Sequence, residues 1–187
     1  NIAGTTYPLA DCDFPTIDPS DPYALTEEES HVIDQLTDSF RHSEKLQKHV
    51  QLLFSHGCMY NICNGNLLFH ASVPMNADGT LKEVELCGQS YSGRELMHRV
   101  GMYMRTAFQA DMPKAERNSA RDYFWYLWCG QDSPLFDKDR MTTFERYMLE
   151  DKSTYHEEKG YYYTLREQPE VCDRILDAFG VKGDNRH

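Results

Sequence analysis

Residues 66–74 read Asn66-Leu67-Leu68-Phe69-His70-Ala71-Ser72-Val73-Pro74. A short apolar run of this kind fills a buried strand, yet it ends in a histidine followed by two small residues and a proline. A strand interior has little use for an imidazole, whereas the point where a strand leaves its sheet is where chemistry is commonly mounted. His70 stands at that exit. Upstream, Met59 to Ile62 forms a matching run, and Cys63-Asn64-Gly65 between them reads as an Asn-Gly hairpin turn. The hairpin delivers the histidine.

Outward from this hairpin the pattern is mostly helical. Residues 1–25 hold Pro8, Pro15, Pro19 and Pro22 and read as an extended lead-in. Thr26 and Glu29 then have capping-box spacing. Val32, Ile33, Leu36 and Phe40 recur at helical spacing, as do Leu46, Val50, Leu53 and Phe54 before a stop at Gly57, which predicts two helices or one bent helix over 26–57. Asn76 to Gly79 is a second turn, and Leu81–Leu86 with Gln89–Tyr91 predicts a second small hairpin around Gly88. Ser92 and Glu95 repeat the capping-box spacing ahead of a helix carrying Leu96, Val100, Met104 and Phe108. Further helices are expected over Pro113–Trp128, Thr142–Glu150 and Pro169–Phe179, with a strand at Tyr161-Tyr162-Tyr163. The cluster Phe124, Trp125, Leu127 and Trp128 reads as core, because large aromatics at helical spacing usually are.

These elements predict an α+β fold, predominantly helical with short β-hairpins: lead-in 1–25, helical 26–57, hairpins 58–91 and mainly helical 92–187. The 187 residues are 40% hydrophobic, 26% charged and 12% aromatic, a composition that folds. A net charge of -11 argues against non-specific nucleic-acid or anionic-membrane binding. The longest apolar run, Phe124 to Cys129, is far short of a membrane span. Six cysteines (Cys12, Cys58, Cys63, Cys87, Cys129, Cys172) are scattered without a C-x-x-C pair, as expected for reduced thiols in a cytoplasmic protein. The chain begins at Asn1 without methionine and reads as cut from something larger.

No Walker loop, dinucleotide fingerprint, G-x-S-x-G elbow or H-E-x-x-H is present. Of eight histidines, His31, His42, His49 and His98 lie in helical segments beside charged residues and read as solvated, and His56 complements a helix C-terminus. His70 reads either as a divalent-metal ligand, with Ala71 and Ser72 leaving room for an ion, or as a hydrogen-bonded core histidine. Arg140, Arg146 and Lys152, with His156 close by, read either as a small cationic patch for phosphate or as surface charges paired with Glu145, Glu150 and Asp151.

Several segments carry a resemblance: Asp13-Phe14-Pro15-Thr16 with Asp21-Pro22-Tyr23, Glu44 to Val50, Gly57-Cys58-Met59-Tyr60, and Asn66 to His70. To these are added Phe124 to Trp128 with Gly130, Ser133-Pro134-Leu135-Phe136, Lys138-Asp139, Thr143 to Tyr147, and Glu150 to Thr154. In this order and over nearly the whole chain they resemble class III fructose-1,6-bisphosphatases. The resemblance implies an internal fragment of a bacterial, manganese-dependent hydrolase of the calcineurin-like metallophosphoesterase type, an α/β domain that removes the 1-phosphate of fructose 1,6-bisphosphate in gluconeogenesis and carbohydrate metabolism. It implies His70 as metal ligand; a bisphosphate substrate also needs cationic contacts, for which Arg140, Arg146, Lys152 and His156 are the candidates, and the resemblance does not itself say which of them contacts substrate. The family's D-x-H, G-D-x-x-D-R-G and G-N-H motifs are absent, and His187 follows Arg186 rather than the glycine of the family's final Gly-His. Ala71 stands where the family often has glycine. The resemblance implies two metals, and one ligand cannot hold two metals, so the isolated chain is expected to be inactive, with the remainder of the parent polypeptide as its partner; a homo-oligomer is compatible with this. The alternative is a helical structural or regulatory segment serving assembly or effector response.

Overall fold

The computed structural model describes residues 1–183 and 186–187. Two compact units are present, one of residues 1–57 and 143–154, the other of residues 58–142 and 155–187.

The first unit opens with an irregular segment over 1–25 that turns tightly at the Ile2–Thr5 and Asp18–Asp21 bridges. Helix α1 (Glu27–Arg41) starts where the capping box places it. Thr26 Oγ1 accepts from the Glu29 amide at 3.2 Å, and Glu29 Oε2 accepts from the Thr26 amide at 2.9 Å. Thr16 Oγ1 donates to the other Glu29 oxygen at 2.6 Å, which ties the lead-in to the helix. Ser43 caps α2 (Glu44–His56). Gly57 ends α2 in an extended conformation (φ -69°, ψ 153°) rather than a left-handed one. Neither helix buries a residue. The short helix α5 (Thr143–Met148) completes the unit, joined to the lead-in by the Leu9–Leu149 bridge and a 2.7 Å bond from the Ala10 amide to the Met148 carbonyl.

The second unit carries the hairpins and the core. Strands β1 (Tyr60–Cys63) and β2 (Asn66–Phe69) pair antiparallel with Cys63 opposite Asn66. Asn64 (φ 52°) and Gly65 (φ 77°) make the left-handed two-residue turn that the Asn-Gly pair predicts. Strands β3 (Val84–Leu86) and β4 (Gln89–Tyr91) pair in the same way around Cys87 and Gly88, both at positive φ.

Helix α3 (Gly93–Thr106) lies between two apolar clusters. Leu96 and Val100 pack with Val84, Leu86 and Leu127, while Met97 joins Val73, Met75, Val171, Ile175, Leu176 and Phe179. The long helices α4 (Lys114–Cys129) and α7 (Pro169–Phe179) supply the opposing faces. Helix α7 has proline at its first turn and ends at Gly180 (φ 79°), with the Val181 amide reaching back to the Leu176 carbonyl at 2.9 Å.

The structure corrects three local expectations. Ser92 makes no side-chain cap for α3, and the Glu95 carboxylate, the other half of the expected capping box, accepts from Arg99 at 2.7 Å. Tyr161–Tyr163 is not a strand: Tyr162–Leu165 forms the single-turn helix α6, its amides satisfied locally, with Leu165 bonding to the Tyr161 carbonyl at 3.0 Å. The aromatic end of α4 is only partly core. Ala120 and Leu127 lie seven residues apart and share the buried face, whereas Trp125 and Trp128 fall on another face and are 73% and 69% exposed. Four neighbouring bulky residues cannot share one side of a helix.

Candidate functional site

His70 follows the last residue of β2 and is exposed. The chain then turns sharply: Ala71 adopts φ 58°, and Ser72, Val73 and Pro74 are fully buried. The turn leaves the imidazole outside while the next three residues enter the core, with the Ser72 amide bonded to the Pro134 carbonyl at 3.3 Å. A left-handed alanine is strained, whereas glycine adopts this conformation at little cost.

The outer edge of β2 is occupied near its start. The His187 amide donates to the Gly65 carbonyl at 2.9 Å and the Leu67 amide donates to the His187 carbonyl at 2.7 Å. This two-bond pattern is that of parallel pairing opposite Asn66. Beside it lies a cleft of about 470 Å³ lined by Leu67, Phe69, Tyr162, Arg166, Arg186 and His187 among others. Arg186 is held there by Asp173 at 2.6 Å and by Asp177.

Sequence reasoning missed the buried carboxylate close to this turn. Asp137 (φ 48°) is 2% exposed, and a Cβ at Gly160 would fall on its carboxylate. Its Oδ2 and the Ser72 Oγ are buried without a hydrogen-bond partner among the described residues. Burial pushes the Asp137 carboxyl above the ordinary carboxylate range; Asp132 adds to the rise. The nearby Ser72 hydroxyl, without a well-formed hydrogen bond to it, and Lys82 oppose it. Lys82 is itself paired with Asp132 at 2.8 Å. Asp137 falls in the gap between two stretches quoted for the resemblance, one ending at Phe136 and the next starting at Lys138, and nothing in its local spacing distinguishes it from a solvated acid.

Next to Asp137 the chain is clamped by a second acid of opposite behaviour. Segments 137–139 and 158–160 pair through the Asp139 amide to the Glu158 carbonyl and the Gly160 amide to the Asp137 carbonyl, each 2.9 Å. Glu157 accepts from Lys138 Nζ at 2.6 Å, from the Thr142 amide at 2.9 Å and from Thr142 Oγ1 at 2.8 Å. The Lys138 ammonium, followed by the two Thr142 donors, holds this carboxyl down at about 2.

The four predicted cationic contacts divide between the units: Arg146 and Lys152 in the first, Arg140 and His156 in the second. Arg140 Nε is engaged by Asp139 at 3.0 Å, and His156 lies 3.5 Å from Glu158. His31, His42, His49, His56 and His98 are exposed, as expected. All six cysteines are free. Among the described residues no three His, Cys, Asp or Glu side chains converge to hold a metal ion, and no helix is long and apolar enough to cross a membrane.

Comparison with known proteins supplies the family. A family model described as Firmicute fructose-1,6-bisphosphatase matches residues 1–187. A class 3 fructose-1,6-bisphosphatase from Bacteroides fragilis is 53% identical over 184 residues, covering 98% of this chain and 28% of the relative. Those from Phocaeicola vulgatus and Clostridium tetani are 54% and 46% identical with the same coverage. No solved structure matches. The general class defined by these matches is fructose-1,6-bisphosphatase. More narrowly, the chain belongs to the class 3 fructose-1,6-bisphosphatase family, and it spans about 28% of the length of the curated relatives it matches.

Proposed function

We propose that this chain is the segment of a class 3 fructose-1,6-bisphosphatase that contributes His70 to a divalent-metal centre completed by the rest of the parent polypeptide. The intact enzyme then hydrolyses the 1-phosphate of fructose 1,6-bisphosphate in gluconeogenesis, in the cytoplasm, with manganese as the metal and a calcineurin-like phosphoesterase arrangement around it. The observation that carries this reading is the exposed imidazole at the exit of β2, in a chain matched to the family from end to end. A bound divalent ion would polarise the phosphoryl group and activate water.

Among the described residues, no three metal-ligating side chains converge to complete a site. The part of this chain is to hold one nitrogen ligand in place: the hairpin fixes the backbone before it, and the buried Ser72-Val73-Pro74 segment fixes the backbone after it. The isolated chain is therefore inactive. Arg140, Arg146, Lys152 and His156 are proposed contacts for the substrate phosphates, and replacing Arg140 should raise KM more than it lowers stability.

The test is manganese affinity of the intact enzyme by calorimetry. His70→Ala should weaken it by more than about tenfold, since a direct ligand matters at least as much as its supporting partners. Unchanged affinity would remove His70 from the centre. Phosphate release by the isolated 187 residues with manganese would overturn the division of the site.

A further inference from the structure

Helix α1 displays an apolar stripe that no described residue of its own unit buries. Val32, Ile33, Leu36 and Phe40 follow helical spacing and are 52%, 50%, 52% and 68% exposed. Neither α1 nor α2 buries a residue, although α1 is firmly started by its capping box. An amphipathic helix of 15 residues draws most of its stability from packing of its apolar face, so a stripe built to this pattern calls for an occupant.

We propose that the α1 stripe is the seat of another stretch of the same parent polypeptide, one that brings Lys or Arg to its rim. Two observations select this occupant. The curated relatives run to more than three times the matched length, with this chain covering 28% of them, so most of the parent is available to pack here. Residues 1–57 also carry ten carboxylates against Arg41, Lys45 and Lys48, with Glu28 and Glu29 at the N-terminal end of the stripe. A second copy docking through the same patch would set this acidic surface against itself, whereas a basic-rimmed segment complements it. The proposal goes beyond the catalytic reading and does not depend on His70, so the metal experiment and the following one fail separately.

The experiment uses the intact enzyme, made as an equal mixture of unlabelled and nitrogen-15-labelled protein and cross-linked with a carbodiimide. Glu28 and Glu29 should join to lysines outside this segment, within chains of one isotope only. Cross-links mixing the isotopes would overturn the proposal in favour of a second copy. Hydrogen exchange of peptide 27–41 in the same enzyme is the companion measurement: α1 amides should be protected, and Leu36→Asp should speed their exchange at least about tenfold while Gln35→Asp, off the stripe, changes it less than about twofold. Rapid exchange of α1 in the unsubstituted enzyme would overturn the proposal even where Leu36→Asp fails to fold.

Discussion

Glu157→Gln is the most informative single change in the second unit. The carboxylate accepts three hydrogen bonds, from Lys138 and from the amide and hydroxyl of Thr142, and its side chain is 12% exposed. Its carboxyl is held at about 2 against an ordinary 4.5. At roughly 1.4 kcal/mol per pKa unit, that difference sets a ceiling of about 3 kcal/mol on the stabilisation that requires the charge. Lys138 is a third exposed, so solvent screening brings the expectation to about 1–2 kcal/mol. Glutamine keeps one acceptor for Thr142 but turns an amide N–H2 toward the ammonium, so two donors would face each other. Because the folded carboxyl titrates below the unfolded one, its contribution is complete above about pH 5 and fades as pH falls through 2. Denaturant unfolding of the chain at pH 7 and pH 3 measures this. Glu157→Gln should be less stable by about 1–2 kcal/mol at pH 7, with a smaller gap at pH 3. An equal gap at both values, or none at pH 7, refutes the argument.

Two further predictions concern the turn after His70. Ala71→Gly removes the strain of a left-handed alanine, about 1–2 kcal/mol, and adds unfolded-state freedom of about 0.5–1 kcal/mol, so unfolding experiments should show a net gain of about 0.5–1 kcal/mol; a loss would mean that the turn is not strained. Asp137 titrates above the ordinary range because it is buried, so its contribution favours folding below the unfolded pKa and is lost as pH rises through the folded one. Asp137→Asn should abolish that decline in a stability-versus-pH series, and a variant with the wild-type profile would show that Asp137 is ionised at neutral pH without cost.

Short-range chemistry was legible in the sequence and long-range neighbours were not. Asn64-Gly65 specified its hairpin because few residues tolerate two successive left-handed positions, and Thr26 with Glu29 specified a cap because both partners lie within one turn. The same logic misplaced Ser92 and Glu95, where Arg99, one helical turn further on, takes the carboxylate. Trp125 and Trp128 looked like core because composition says nothing about which side of α4 meets α3. The sequence left His70 open between a metal ligand and a core histidine; its exposure comes with the left-handed turn at Ala71 that sends Ser72 into the core. Asp137 was not legible, since its burial depends on Ser72 and Gly160, which are remote in sequence. The family was legible in the order of many short segments.

The most direct test of His70 as a ligand is pulsed electron paramagnetic resonance of manganese bound to the intact enzyme. The account predicts an imidazole nitrogen coupling that disappears in His70→Asn while the other histidine substitutions in this segment leave it in place. A spectrum unchanged by His70→Asn would contradict it.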